Sequence, residues 1–149
     1  MNELYRHNQS GYAILVVFSL GVIVITYPGL AGNFDGSLLF VLTVVCIVCL
    51  LLFSSLTVMV NKDRILIKFG LGIIKKEIPI SDIESCKKVK NPWWYGWGIH
   101  ITPDGWLYNV SGLNAIEIKM KNGRRCRIGT DEPGELERVL HNALIILNK

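Results

Sequence analysis

Two long runs of apolar residues open the chain, and a region of alternating apolar and polar residues follows them. Residues 11–27 read GYAILVVFSLGVIVITY, and with Pro28, Gly29 and Leu30 the run reaches about 20 residues, the length of a helix that crosses a bilayer. Residues 37–60, SLLFVLTVVCIVCLLLFSSLTVMV, form a second run, and AGNFDG between them is a short glycine-containing turn. In hydrocarbon every backbone amide must be bonded inside its own segment. The pattern therefore predicts a two-helix transmembrane hairpin over residues 11–55, with residues 1–10 as a polar tail and residues 56–149 as a separate domain.

From residue 56 the period changes to two, and turn residues punctuate it. Strands are predicted over residues 56–61, 64–69, 73–80, 83–90, 98–102, 106–110, 115–120 and 124–129, with Asn61-Lys62-Asp63, Gly70-Leu71-Gly72 and Pro103-Asp104-Gly105 among the turns. Turn signals this closely spaced point to an antiparallel sheet that closes or folds on itself. At the end Leu136, Val139, Leu140, Ala143, Leu144 and Leu147 recur at spacings of three and four, one apolar stripe on an amphipathic helix. Pro133 suits its first turn, and Asp131 and Glu132 suit the positive end of its dipole. Such a helix caps the open end of the sheet.

The last hairpin has a register that its own residues select. A two-residue turn at Asn122-Gly123 would pair Met120 with Arg125 and mix apolar and charged residues on one face. A three-residue loop, Lys121-Asn122-Gly123, pairs Ile118 with Cys126 and Ile116 with Ile128, which gives one buried face. It also sets Glu117 opposite Arg127, a favourable pair on the outer face, and Lys119 opposite Arg125, a repulsive one.

Charge divides the chain at the same place as the pattern. Residues 12–60 hold one charged side chain, Asp35, whereas residues 61–149 hold fifteen Lys or Arg against ten Asp or Glu. Lys62, Arg64 and Lys68 follow the second apolar run, Arg6 precedes the first, and the turn between them has no basic residue. Positive flanks stay inside, so both termini are expected in the cytoplasm and Asn33 outside. Tyr12 and Tyr27 stand at the two ends of the first run, where interfacial aromatics belong. Arg6, the first apolar run and Gly29-Leu30-Ala31 also fit a cleavable export signal. In that reading the second run and its basic flank still hold the C-terminal domain inside.

Candidate chemistry is sparse. Cys46 and Cys49 form CIVC inside an apolar run, without further ligands nearby, and read as small packing residues; Cys86 and Cys126 fall in strands and read as reduced core thiols. His7, His100 and His141 show no metal-ligand spacing, no glycine-rich phosphate loop is present, and no serine stands in a nucleophile elbow. The reading is non-enzymatic, with no cofactor, no metal and no small-molecule substrate. An enzyme of unrecognised type is the outlying alternative. The positive balance is too weak for a nucleic-acid surface, and a membrane tether fits one poorly.

One stretch stands apart. KKVKNPWWYGWGIH, residues 87–100, sets Lys87, Lys88 and Lys90 beside Trp93, Trp94, Tyr95 and Trp97. The plain reading is a packed corner, with these aromatics and Trp106 filling a small core around Gly96 and Gly98. The sharper one is a surface, with Trp and Tyr at headgroup level and lysines drawn to anionic lipid; the stretch is expected to do both jobs, some aromatics buried and some facing the bilayer or a membrane partner. A second basic surface, Lys119, Lys121, Arg124 and Arg125, faces water or takes an anionic headgroup or an acidic partner peptide.

About seven strands followed by one amphipathic helix is the plan of a pleckstrin-homology fold. The segments LTVMVNKDRILIKFGLG, KKEIPISDIES and RRCRIGTDEPGELERVLHNAL resemble bacterial pleckstrin-homology-like domains, which often follow a pair of membrane helices. NPWWYGWGIHITPDGWLYNVSG resembles a subgroup of small bacterial membrane proteins. The likeness covers residues ~55 to 147. It implies a mainly-β sandwich or barrel capped by a C-terminal helix, and a binding or scaffolding module at the inner membrane. Its partners would be anionic lipid, a second copy of the chain, or a membrane protein, including a membrane enzyme or transporter that it regulates. Phosphoinositide-binding members carry basic residues around a longer loop between the first two strands. Here that loop is only Asn61-Lys62-Asp63, so the resemblance does not extend to their lipid specificity.

Overall fold

The computed structural model describes residues 3–30, 32 and 35–147, without the side chains of residues 28–30. The turn expected over residues 31–36 falls largely outside them, and with it Asn33 and Ala31.

The segment expected as a polar tail is instead a strand, β1 (Glu3–Ser10). Tyr5, His7 and Gln9 turn inward while Leu4, Arg6, Asn8 and Ser10 face out. Inward residues that are polar leave no apolar alternation to read, which is why pattern alone misses it. Long-range bonds hold it in place: His7 Nε2 lies 2.6 Å from Asp131 Oδ1, the Tyr5 hydroxyl donates to Glu132, and Gln9 Nε2 donates to the Ser111 carbonyl at 3.0 Å. Burial and the Glu132 carboxylate push the Tyr5 phenol up to about 12.

β1 pairs antiparallel with β2 (Ser55–Asn61), from Ser10 opposite Ser55 to Glu3 opposite Asn61. Helices α1 (Tyr12–Leu30) and α2 (Gly36–Phe53) lie between these strands in the chain. The strand pair and the helix pair are therefore one long hairpin, and the Gly11 amide donates to the Ser54 carbonyl at 2.7 Å where the two halves join. Only glycine fits at that join, since a Cβ on Gly11 would stand 2.6 Å from the Phe53 carbonyl oxygen. The Asp35 carboxylate caps α2 by accepting from the Ser37 amide at 2.8 Å.

The expectation of two spans holds for one helix. α2, with no buried residue, is long and apolar enough to cross a membrane, whereas α1, over Tyr12–Tyr27, is a shorter apolar helix. Of its described side chains only Ile14 is buried, against the domain.

The domain is a mixed α/β fold of two sheets and a C-terminal helix. The first sheet runs β1-β2-β3-β4, with β3 at Arg64–Phe69 and β4 at Ile74–Pro79, antiparallel throughout. A single 3-10 turn, Ile80–Asp82, leads to the second sheet. Its strands are β5 (Ile83–Lys90), β6 (Gly98–Thr102), β7 (Gly105–Asn109), β8 (Asn114–Met120) and β9 (Arg125–Gly129), in spatial order β5-β8-β9-β7-β6. Nine strands thus stand where about seven were expected. The sheet also departs from the all-antiparallel expectation at one place: β9 enters between β8 and β7 and runs parallel to β7. The final hairpin has the register selected above, with Ile118 opposite Cys126 and Glu117 opposite Arg127.

The core lies between the sheets. Leu56, Val58, Val60, Ile65, Ile67 and Phe69 face it from the first sheet, and Ile116, Ile118, Cys126 and Ile128 from the second. Helix α3 (Pro133–Leu147) closes it by burying Leu136, Leu140 and Ala143, while Leu147 at the end of the expected stripe is exposed. Burial pushes the Cys86 and Cys126 thiols each up to about 11, which leaves them unreactive at neutral pH.

Candidate functional site

Side chains alternate across a strand, so the residues between Ile116, Ile118, Cys126 and Ile128 point away from the core. Glu117 and Arg127 are the pair expected there on a solvated face, yet both are buried. The reason is the chain between β5 and β6, which folds back over the outer face of the second sheet. Arg127 donates through Nε and Nη2 to Glu117 Oε2 at 2.9 and 2.8 Å, and through Nη1 to Asn91 Oδ1 at 3.2 Å. Its Nη2 also lies 2.9 Å from Asp104 Oδ2. Tyr95 donates to Asp104 at 3.0 Å and lays its ring over the guanidinium, 5.9 Å away. Burial alone would push the Glu117 carboxyl up, but hydrogen bonds from Arg127 and Lys87 and their charges outweigh it and hold it below the usual carboxylate value.

This cluster fixes the loop at two points, Asn91 and Tyr95, and a single 3-10 turn, Trp93–Tyr95, spans the residues between. The turn displays what it does not bury. Trp93 and Trp94 are 75% and 67% exposed and meet edge to face with ring centroids 6.0 Å apart. Trp97 and Trp106 are also partly in solvent. The packed-corner reading of the four tryptophans therefore fails: of the aromatic cluster it is Tyr95 that is used as an anchor.

Hydrogen bonds locate this loop in the molecule. Trp97 Nε1 donates to the Gly112 carbonyl at 3.3 Å, and the Asn91 amide donates to the Leu113 carbonyl at 2.7 Å. The neighbouring Ser111 carbonyl accepts from Gln9, two residues before the start of the helix pair at Gly11. Both ends of the tryptophan loop, the β7–β8 connection and the roots of α1 and α2 thus lie together, while the middle of the loop reaches Asp104 in the β6–β7 turn through Tyr95. The His100 ring supports the loop from below, donating through Nε2 to the Trp97 carbonyl.

The lysines divide. Lys87 Nζ lies 3.3 Å from Glu117 Oε1, and Lys88 Nζ lies 3.2 Å from Glu137 on α3, whose carboxylate also accepts the Lys88 amide at 3.0 Å. Both are structural ties rather than free surface cations. Lys90 is exposed and makes no ion pair among the described residues.

In the second basic group Lys119 and Arg125 do not simply repel across the hairpin. Lys119 is bridged to Glu84 at 2.7 Å, and Arg125 stands 3.9 Å from Glu117. Lys121 is exposed at the hairpin tip, as is Arg124. Arg124, Arg125 and Lys76 form the basic wall of a cleft of about 330 Å³ that has Trp106, Tyr108 and Met120 as its apolar lining. Sequence reasoning found the arginines but not this cleft, because Lys76 and Trp106 come from other strands. It also missed Asn91 and Asp104, whose part is set by the fold-back of the loop and by no local pattern.

Among the described residues no group of three or more His, Cys, Asp or Glu is placed to hold a metal ion. The His7, Asp131 and Glu132 contact joins β1 to the start of α3 and lies at the surface. No family model matches the chain, no curated protein matches it, and no solved structure matches it.

Proposed function

We propose that the protein is a membrane-anchored, non-enzymatic binding module whose pleckstrin-homology-like domain rests on the inner leaflet of the cytoplasmic membrane. One observation carries the reading: the exposed Trp93–Trp94 pair stands on a loop whose flanking residues Asn91 and Trp97 are bonded to the β7–β8 connection, beside the strand that leads into the apolar helices. Tryptophan prefers the boundary between headgroups and acyl chains, and a rigid display avoids the entropy of ordering a loop on contact.

The anchor follows from α2. Its 18 residues are uncharged and, apart from Gly36, Ser37 and Thr43, apolar, and none is buried within the protein, an exposed patch far larger than a water-soluble chain tolerates. A bilayer removes that surface from water. α1 runs back beside α2, because its first turn is bonded to the end of α2 through Gly11 and Ser54. Lys62, Arg64 and Lys68 beyond α2 favour a cytoplasmic domain, and with β1 paired to β2 both termini lie on that side. Lys90, unpaired beside the tryptophans, adds attraction for anionic lipid of ~1 kcal/mol. Seated in this way, the domain holds the cleft lined by Lys76, Arg124, Arg125 and Trp106 toward the end of β7 away from the helix roots, within reach of cytoplasmic segments of membrane proteins. There an acidic segment of a membrane protein would bind with the help of high local concentration.

A photoreactive residue at position 94 of the full chain, activated in native membranes, tests this. Adducts should be phospholipid. Transfer of the label chiefly to one discrete protein would replace the lipid contact by a protein interface on the same rim.

A further inference from the structure

The tight turn between β3 and β4 is the other feature at the roots of the helices. Gly70 packs so closely on the last turn of α2 that a Cβ there would run into the Leu51 and Leu52 carbonyls. Its amide donates to the Ser55 carbonyl at 2.8 Å, and Gly72 closes the turn on the Phe69 carbonyl at 2.7 Å. The turn is therefore fixed beside α2 at the depth of Leu51 and Leu52. It ends in two large apolar side chains that none of the described residues covers, Leu71 and Ile73, 70% and 72% exposed. Directly behind them Lys68 and Lys75 are cross-strand partners, two like charges side by side with no acidic partner among the described residues. The Lys68 stem lines the turn, since a Cβ on Gly72 would lie 3.9 Å from Lys68 Cδ.

An apolar tip with a cationic collar, level with the end of a membrane helix, matches the layering of a bilayer surface. We propose that the Gly70-Leu71-Gly72-Ile73 turn is a second membrane contact. Leu71 and Ile73 enter the acyl boundary, while Lys68 and Lys75 extend back to anionic headgroup phosphates. The inference rests on the membrane anchoring proposed above. With the tryptophan loop it gives the domain two separate points on the bilayer besides its tether, and two points fix its tilt. Continuity with the exposed face of α2 and the unpaired lysines select lipid as the occupant.

The test uses the full chain in vesicles of phosphatidylcholine, with and without phosphatidylglycerol. Cys46, Cys49, Cys86 and Cys126 are replaced by Ala, and one environment-sensitive fluorophore is attached to a new cysteine. Leu71→Cys and Ile73→Cys should show blue-shifted emission that shallow lipid-borne quenchers reduce several-fold, more so with phosphatidylglycerol. Lys62→Cys, at the far end of the same strands, should show neither. Val41→Cys on α2 reports the anchor: quenching at 41 without any at 71 and 73 overturns the turn's role alone, and none at 41 overturns the membrane reading with it. A photoreactive residue at 71 in the chain with its native cysteines gives a second reading if the alanine background folds poorly. Lipid adducts support the contact, and their absence overturns it.

Discussion

At Arg127 one guanidinium meets two carboxylates, a side-chain amide and a phenol ring. All of them were visible as residues, and the Glu117–Arg127 pairing followed from register, but the burial did not. Removing the guanidinium strips the buried Glu117 carboxylate of its two closest hydrogen bonds, leaving it the longer contacts to Lys87 and Arg125, and takes an ion-pair partner from the partly exposed Asp104. Arg127→Ala should therefore destabilise the fold by about 3–5 kcal/mol, the cost of stranding a buried charge, measured as a shift in denaturation midpoint at constant m-value. Glu117→Gln in that background should recover part of the loss. The pH dependence has a definite sign. Because the folded protein holds the Glu117 carboxyl below its ordinary value of 4.5, its contribution is complete above that value. It is lost as pH falls through the lower folded value. Stability should decline on acidification below about pH 4.5, and that acid-dependent part should shrink in Glu117→Gln. An unaltered acid profile would show that the pair adds nothing.

Among the elements, the helix pair is an insertion between two strands of the domain. Cutting the chain ahead of β3 removes β1 and β2, so no simple truncation leaves the domain intact. Ser10 and Ser55 are cross-strand partners at the point of insertion. Replacing residues 11–54 by Asn-Gly therefore closes β1 and β2 as a two-residue hairpin. The shortened chain should be water-soluble and unfold cooperatively, at lower stability because Ile14 and Phe53 no longer cover their part of the core. Aggregation or a non-cooperative transition would mean that the helices are integral to the fold. This element scale is also where the sequence speaks most clearly. Periodicity and turn residues together placed β2 through β9 within a residue or two of their ends: β3 buries Ile65, Ile67 and Phe69 in strict alternation, whereas β5 and β6, whose burial does not alternate, are delimited by the turns beside them. β1 escaped because its inward side chains, His7 and Gln9, are polar and gain their partners from residues more than a hundred positions away. The fold-back of the tryptophan loop escaped for the same kind of reason: Asn91 and Tyr95 look like ordinary turn residues until Arg127 and Asp104 lie beneath them.

For the whole molecule, one end of the domain gathers the roots of α1 and α2, the Leu71–Ile73 turn and both ends of the loop that displays Trp93 and Trp94. Trp106 lies at the other end of β7, about three residues or ~10 Å along the strand from Asn109. Tryptophan emission distinguishes these positions. The full chain is reconstituted in bilayers whose phospholipid carries bromine at the upper acyl positions, which quench only nearby indoles. The account predicts strong quenching that Trp93→Phe with Trp94→Phe largely abolishes and that Trp106→Phe leaves intact. Quenching unchanged by the double substitution, or absent from the native chain, would contradict the claim that this rim lies on the membrane.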